Sequence, residues 1–401
     1  MIELLAPAGD FDRLKTALHF GADAVYIGGA KYSLRASAKG VDGEQLDSAV
    51  DYCHTRGKKL YVALNIFASD GDMAGMRDYL ERVYKSGADA IIVSDPGVIS
   101  LARKYVPDLE LHLSTQSNTT NSYSARFWAD MGIKRIVTAR EMSIDGIKRM
   151  RDVLGGDAEI ECFVHGAMCI SYSGRCLLSD YLTGRRANKG ECVQACRWEY
   201  TLGAGRDDGG LTIGEEDRGT YILNSKDMCM LPYLDALRDA GVDSFKIEGR
   251  MKTQYYVASA VSAYRAGIDA LGEGNYVPPR YALEEVDKHS HRQYCTGFYF
   301  GDRGEQCLDT SKPEGSYDFV AEVKGGCDGS LEVEQRGRFK IGDTLETLAA
   351  DSALTGKTFT VSKIQDMSGA PVPDAKYVCQ RIVIDCPYPL RAGDILRRAK
   401  L

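Results

Sequence analysis

Long apolar runs are missing from this 401-residue chain. No stretch approaches the roughly 18 consecutive apolar residues of a membrane-spanning helix, so no membrane role is expected. The opening MIELLAPAGDFDRL lacks a basic segment running into a long apolar one. No secretory signal is therefore predicted, and a cytoplasmic location is expected. A surplus of positive charge is absent too. Asp and Glu number 57 against 50 Lys and Arg, for a net charge of −7. That excludes a chain that is basic all over and leaves local basic patches open. Several catalytic signatures do not occur: the HExxH of zinc proteases, the GxSxG elbow of serine hydrolases, the P-loop, and a GxGxxG after a strand. The CxxxCxxC of radical S-adenosylmethionine enzymes is absent as well.

Cysteine, by contrast, is plentiful. Twelve occur, and without an export signal they point to buried, catalytic or metal-bound thiols rather than disulfides. Cys53, Cys162, Cys295, Cys307, Cys327, Cys379 and Cys386 are scattered and read as small buried hydrophobes. Cys169, Cys176, Cys192, Cys196 and Cys229 cluster, at intervals of seven, sixteen, four and thirty-three.

Up to about residue 272 the chain alternates short β-rich runs with helical stretches, the pattern of βα units on a parallel sheet. The runs are IELLAP, AVYIGG, KLYVALN, AIIVSD, LELHLST, RIVT, EIECFVHG and DSFKIEG. Eight units match a closed (β/α)8 barrel, with an open doubly wound sheet as the competing architecture. The recurring GADAV, GADAI and GVDSF indicate one helix-to-strand turn used repeatedly. After the seventh run comes an insertion, about residues 167–228, carrying the cysteine cluster. An insertion there lies at the C-terminal face of a barrel, where active sites sit. Residues 273–315 read as a linker. Residues 316–401 read as a small antiparallel β domain, with a barrel as its expected form, and their twelve basic and twelve acidic residues balance.

Strand alternation sorts the barrel residues. Glu110, His112 and Ser114 share one face and Leu109, Leu111 and Leu113 the other, the leucines towards the helices. The same alternation turns Glu161 and His165 inward on the seventh strand and Lys246 and Glu248 on the eighth; Tyr26 and Asn65 are further inward candidates. Glu3, Glu161 and Lys246 are read as a paired network holding the barrel, since buried charges need partners. For Asn65, Gln116, His165 and Glu248, near the mouth, a site role and a structural role both stay open.

Three chemistries use such a cysteine cluster. An iron–sulfur cluster takes four thiolates from loops at no fixed spacing. Zinc prefers two close pairs, and only Cys192 and Cys196 make one. A catalytic thiol needs a neighbouring base, and His165 is close in sequence to Cys169. Arg175, Arg185, Arg186, Lys189, Arg197 and Arg250 accompany the thiols and suit carboxylate or phosphate groups.

The segments ELLAPAGDFDRLKTALHFGADAVYIGG, STQSNTTN, FVHGAMCISYSGRCLLSDYLTGR, NKGECVQACRWEY, NSKDMCM and DSFKIEGRMKT resemble the collagenase-like peptidase family U32 over nearly the whole chain. Within it, the likeness is greatest to the bacterial tRNA-hydroxylating members. The resemblance implies hydroxylation of the tRNA wobble uridine to 5-hydroxyuridine without molecular oxygen, with prephenate as hydroxyl donor. It also implies a 4Fe-4S cluster on Cys169, Cys176, Cys192 and a fourth cysteine. Cys229 is preferred for the fourth, with Cys196 as the alternative, because Cys192 and Cys196 would pack two ligands closely. Prephenate is a dicarboxylate, and Arg35, Arg175 and Arg250 are its expected partners, ahead of Arg140. Asn65 and Gln116 are expected at the substrate, and His165 and Glu248 as catalytic groups. The expected partners are the tRNA anticodon region and, since some relatives work in pairs, a paralogous subunit. Two rival functions remain: a collagenase-like peptidase, and a non-catalytic RNA-binding or assembly protein with a structural metal site.

Overall fold

The computed structural model describes residues 2–29, 31–34, 41, 43–198, 224–272, 274–301, 305–307, 313–327 and 329–400. Seven parallel strands come first: Glu3–Ala8 (β1), Ala24–Gly28 (β2), Lys59–Leu64 (β3), Ala90–Val93 (β4), Glu110–Leu113 (β5), Arg135–Val137 (β6) and Glu159–Ala167 (β7). A short strand, Asp227–Cys229 (β8), then runs antiparallel to the end of β7. Ser244–Ile247 (β9) is the eighth parallel strand. It pairs with β1 on one side and β7 on the other, which closes the barrel.

Local chemistry builds the units. Asp10, Asn121, Ser143 and Thr253 each cap a helix through a side-chain oxygen that accepts a backbone N–H. Asp95 does the same ahead of Pro96, whose missing N–H costs nothing in a first turn. The repeated helix-to-strand turn carries Gly21, Gly87, Gly132 and Gly241, at φ of 102°, 80°, 82° and 85°. That left-handed conformation is open to glycine and strained for other residues.

Alternation holds on β5. Leu109, Leu111 and Leu113 are buried in the layer between strands and helices. His112 points inward, its ring edge-on to Tyr61 at 4.6 Å. Inside the barrel Leu5, Ala24, Tyr26, Tyr61, Ala63, Ala90 and Ile92 form a separate small core. Against it lies the expected ion network. Lys246 Nζ donates to Glu161 Oε1 at 2.6 Å, Arg135 reaches Glu161 at 3.2 Å, and the Tyr61 hydroxyl donates to Glu3 at 2.7 Å. Burial alone would push Glu161 up. Lys246 and Arg135 outweigh it, and the carboxyl is held below its ordinary range.

Residues 273–315 do more than link. The helix Arg280–Val286 packs on the long helix Gln254–Asp269, and Tyr294–Cys295 (β10) pairs with β8. The Tyr299 hydroxyl donates to the Phe163 carbonyl at 2.6 Å. This segment is therefore part of the barrel's outer wall.

Beyond it, seven antiparallel strands from Tyr317–Cys327 to Ile395–Ala399 form one sheet around its own apolar core. Its two outermost strands do not pair with each other among the described residues, so the expected antiparallel β domain takes the form of a half-barrel. Arg397, fully buried, ties this sheet to the barrel: it bonds Glu285 at 2.7 Å, Glu346 at 2.6 Å and the Tyr255 hydroxyl at 3.3 Å. Among the described residues no helix is long and apolar enough to cross a membrane.

Removing one partner of a buried ion group strands the others. Arg397→Met is expected to cost about 3–5 kcal/mol of unfolding free energy. Urea denaturation measures it, and a loss below about 1 kcal/mol would mean the group contributes little to joining the two parts.

Candidate active site at the barrel mouth

The mouth of the barrel holds a cavity of about 150 Å³. Its floor and sides come from the C-terminal ends of the strands: Tyr26, Asn65, Ser114, Gln116, Phe163, Lys246, Glu248 and Arg250. Its roof is the insertion, which contributes Cys169, Cys176, Cys192 and Cys196.

Several contacts fasten that roof. Asn118, in left-handed conformation, donates to the Ser173 carbonyl at 3.0 Å. Lys189 bonds Asp72 and reaches Ser69 at 3.1 Å. Arg197 donates to the Met168 carbonyl at 3.1 Å, joining the two ends of the cysteine-bearing stretch. The Ser179 hydroxyl accepts the Val193 N–H at 3.2 Å.

The four thiols share one electrostatic neighbourhood. Burial pushes the Cys196 thiol up, Arg197 opposes this, and Cys169, Cys192 and Cys176 push it further up. Among the described residues, no three His, Cys, Asp or Glu side chains already stand close enough to hold a metal ion. The sulfurs thus face a common space without closing a coordination sphere by themselves. The donor set, four cysteines on loops, has the chemistry of an iron–sulfur site.

Cys229 stands apart from the other four clustered cysteines. It lies on β8, opposite His165, and its sulfur takes a hydrogen bond from the Tyr264 hydroxyl at 3.7 Å. Burial pushes it up to about 11. It is not part of the cavity wall, whereas Cys196 is. The close spacing held against Cys196 is absorbed by a tight turn, in which Gln194 is left-handed and Ala195–Arg197 forms one turn of 3-10 helix.

His165, expected to point inward by alternation, does not. The pairing of β7 with β9 slips by one residue between Phe163 and His165. A bulge inserts one residue and turns the following side chains to the other face. Glu161 and Phe163 therefore point inward, as alternation requires, and His165 points outward. It sits among Tyr256, Tyr264, His289 and Tyr294, with Nε2 3.4 Å from His289 Nε2. The thiol–base pair of Cys169 and His165 does not form. At the same place Gly166, at φ of 109°, lets β7 pass close to the next segment: a Cβ there would lie 2.6 Å from the Glu248 carbonyl oxygen.

The other expected residues divide as follows. Asn65 donates to Ser114 Oγ at 3.2 Å and accepts the Leu34 N–H at 3.3 Å. Gln116, Glu248 and Arg250 line the cavity, with Arg250 donating to Ser33 Oγ at 2.6 Å and to the Leu34 carbonyl. Arg175 is exposed, its guanidinium 5.4 Å from the Phe67 ring centre, and is not in the cavity wall. Arg35 lies outside the described residues. Arg140, placed behind these arginines on sequence grounds, does line the cavity, 4.3 Å from the Phe163 ring centre. Its position three residues past β6, on a strand-to-helix loop at the active face, is the signal for it. Phe163 shares the parity of Glu161 and was legible in the same way.

Residues 9–309 match peptidase family U32, and residues 315–397 match the peptidase family U32 C-terminal domain. The chain belongs to family U32. Among curated members, tRNA hydroxylation protein P1 of Bacillus subtilis is 38% identical, over 99% of this chain and 95% of that one. The tRNA hydroxylation protein P of Escherichia coli is 35% identical over 93% and 91%. A collagenase of Porphyromonas gingivalis is 33% identical over 75% and 74%. U32 members similar to this chain thus carry names from two different chemistries.

The outward turn of His165 has a pH consequence. Burial, reinforced by His291 and Lys252, pushes His165 down to about 3 from an ordinary 6.5. Burial, with His165 adding to it, holds His289 well below its ordinary value too. Both are neutral when folded, while the unfolded chain takes up protons below about 6.5. Stability should therefore be flat from pH 7 to 8 and fall steadily as the pH drops from about 6.5 towards 3. Urea midpoints across this range are expected to show that slope in the native chain and a shallower one in His165→Gln.

Proposed function

We propose that this chain hydroxylates C5 of the tRNA wobble uridine without molecular oxygen, taking the hydroxyl from prephenate, with a 4Fe-4S cluster on Cys169, Cys176, Cys192 and Cys196. The observation that carries the reading is the shared cavity: four thiols in its roof face Arg140, Lys246 and Arg250 in its wall. The tRNA hydroxylation names of two near-full-length relatives support RNA as the substrate.

The chemistry fixes what the residues must do. Replacing C5–H by C5–OH oxidises uridine by two electrons, so the hydroxyl donor leaves with C–H in place of C–OH. A bound cluster would supply the electron-transfer capacity such an exchange needs. Arg140 and Arg250 present guanidinium groups suited to the two carboxylates of prephenate, and Lys246 adds a point charge at the floor. Glu248 stands in the wall as the carboxylate able to take or return a proton. Asn65 and Gln116 offer amides for the edge of a base turned out of its stack. The roof and Phe163 limit the access of water.

The relative named collagenase favours a peptidase as the second reading. Against it, the one thiol–base pair proposed from the sequence is separated, Cys169 in the cavity and His165 in the helix layer.

Deleting the gene and measuring tRNA nucleosides by mass separates the readings. The expected result is loss of 5-hydroxyuridine and its derivatives, restored by the native gene and not by Cys176→Ala or Glu248→Gln. Unchanged nucleosides together with gelatin cleavage by the purified protein would reverse the preference. Iron content tests the ligand set independently. After anaerobic purification, Cys196→Ala is expected to lose most of its iron and its visible absorbance, and Cys229→Ala to retain both. The opposite pattern would return the fourth position to Cys229.

A further inference from the structure

The roof of the cavity has an outer face. Along residues 172–181 the side chains divide between the two. Ser173, Gly174, Cys176, Leu178 and Ser179 line the cavity, while Tyr172, Arg175, Leu177 and Tyr181 are exposed. Tyr172 is 54% exposed, Leu177 72% and Tyr181 85%. The helix Leu178–Thr183 packs against the turn Ala195–Arg197, which brings Trp198, 42% exposed, onto the same roof. Four large aromatic or apolar side chains thus stand in water on the insertion that roofs the cavity, where burial would normally be favoured.

Their surroundings are basic. From Ala167 to Trp198 the chain has Arg175, Arg185, Arg186, Lys189 and Arg197 against Asp180 and Glu191, a net charge of +3 in a chain of net −7. Lys189 is engaged with Asp72, and Arg197 with the Met168 carbonyl. Arg175, Arg185 and Arg186 are exposed. Aromatic rings interleaved with guanidinium groups match the two requirements of single-stranded nucleic acid: π faces for bases and cations for phosphates. A peptide bound by strand addition would call for backbone donors along an open strand edge instead.

We infer that the roof is a stacking platform for an unpaired RNA loop. Tyr172, Tyr181 and Trp198 take bases on either side of the nucleotide that enters the cavity, and Arg175, Arg185 and Arg186 take the phosphates. This deepens the tRNA reading and rests on it. The platform selects unpaired RNA because only unstacked bases offer their faces. It holds the neighbouring bases outside while one base descends between the thiols and the wall.

Trp198 is its own reporter, since the chain has one other tryptophan, Trp128. In the full chain carrying Trp128→Phe, a 17-nucleotide anticodon stem-loop RNA (a length on the order of the loop and its stem) is titrated at fixed salt. The comparison is a blunt-ended RNA duplex of matched charge, with no unpaired bases. The loop RNA is expected to quench Trp198 fluorescence and the duplex to leave it unchanged. Tyr181→Ala is expected to weaken loop binding by about tenfold. Arg185→Gln with Arg186→Gln should lower affinity for both RNAs and flatten the salt dependence. Both sets of substitutions are at exposed positions, and circular dichroism confirms the fold. Equal binding of paired and unpaired RNA, an unquenched Trp198, an unchanged affinity in Tyr181→Ala or no RNA binding at all would each overturn the platform. The hydroxylation reading fails separately, on unchanged nucleosides after gene deletion. Full 5-hydroxyuridine in cells carrying Tyr172→Ala, Tyr181→Ala and Trp198→Ala would leave hydroxylation standing and remove the platform.

Discussion

The bond between Lys246 and Glu161 crosses the seam where the barrel closes. β7 and β9 are far apart in sequence, and their pairing turns a row of eight strands into a cylinder. Two charges buried in that seam are tolerable only as partners, and Arg135 and Glu3 complete the neutralisation. The network fills the lower half of the barrel. What is left above it is the cavity that the insertion roofs. Everything proposed for the site depends on that division between a solid base and an open mouth.

Immediately above the seam the strand changes character. The slip in pairing after Phe163 costs one backbone register and sends His165 into the helix layer. There it joins His289, Tyr264 and Cys229 in a buried polar cluster that the cavity does not share. The same slip, with Gly166 passing close to the Glu248 carbonyl, lets the chain leave the barrel and form the roof. That local irregularity takes His165 out of the cavity wall and into the layer that also holds Cys229.

The roof in turn joins two environments. Its inner face gathers thiols and small residues over a cationic wall; its outer face shows aromatic rings and arginines to solvent. The C-terminal half-barrel is anchored through Arg397 to the helix Gln254–Asp269, which packs at the back of the β1 strand. That anchoring fixes the sheet relative to the barrel through buried charge.

The sequence alone was sufficient for the eight units, because period-two strands, capped helices and repeated glycine turns are local patterns with local causes. It placed the insertion at the C-terminal face of the barrel, and it marked Asn65, Gln116 and Glu248 as residues near the mouth, where they line the cavity. It also separated the charged seam from the mouth, since buried ions must pair wherever they fall. Only the tertiary structure showed that Cys196 and Arg140 line the cavity while Cys229 and Arg175 do not, and that His165 turns outward. Parity is a rule for regular strands, and a bulge breaks it without leaving a signature in the residues themselves. Likewise, the distance between two cysteines along a chain says little about where loops bring their sulfurs, because loop paths are set by contacts such as those of Asn118 and Lys189 with residues more than fifty positions away.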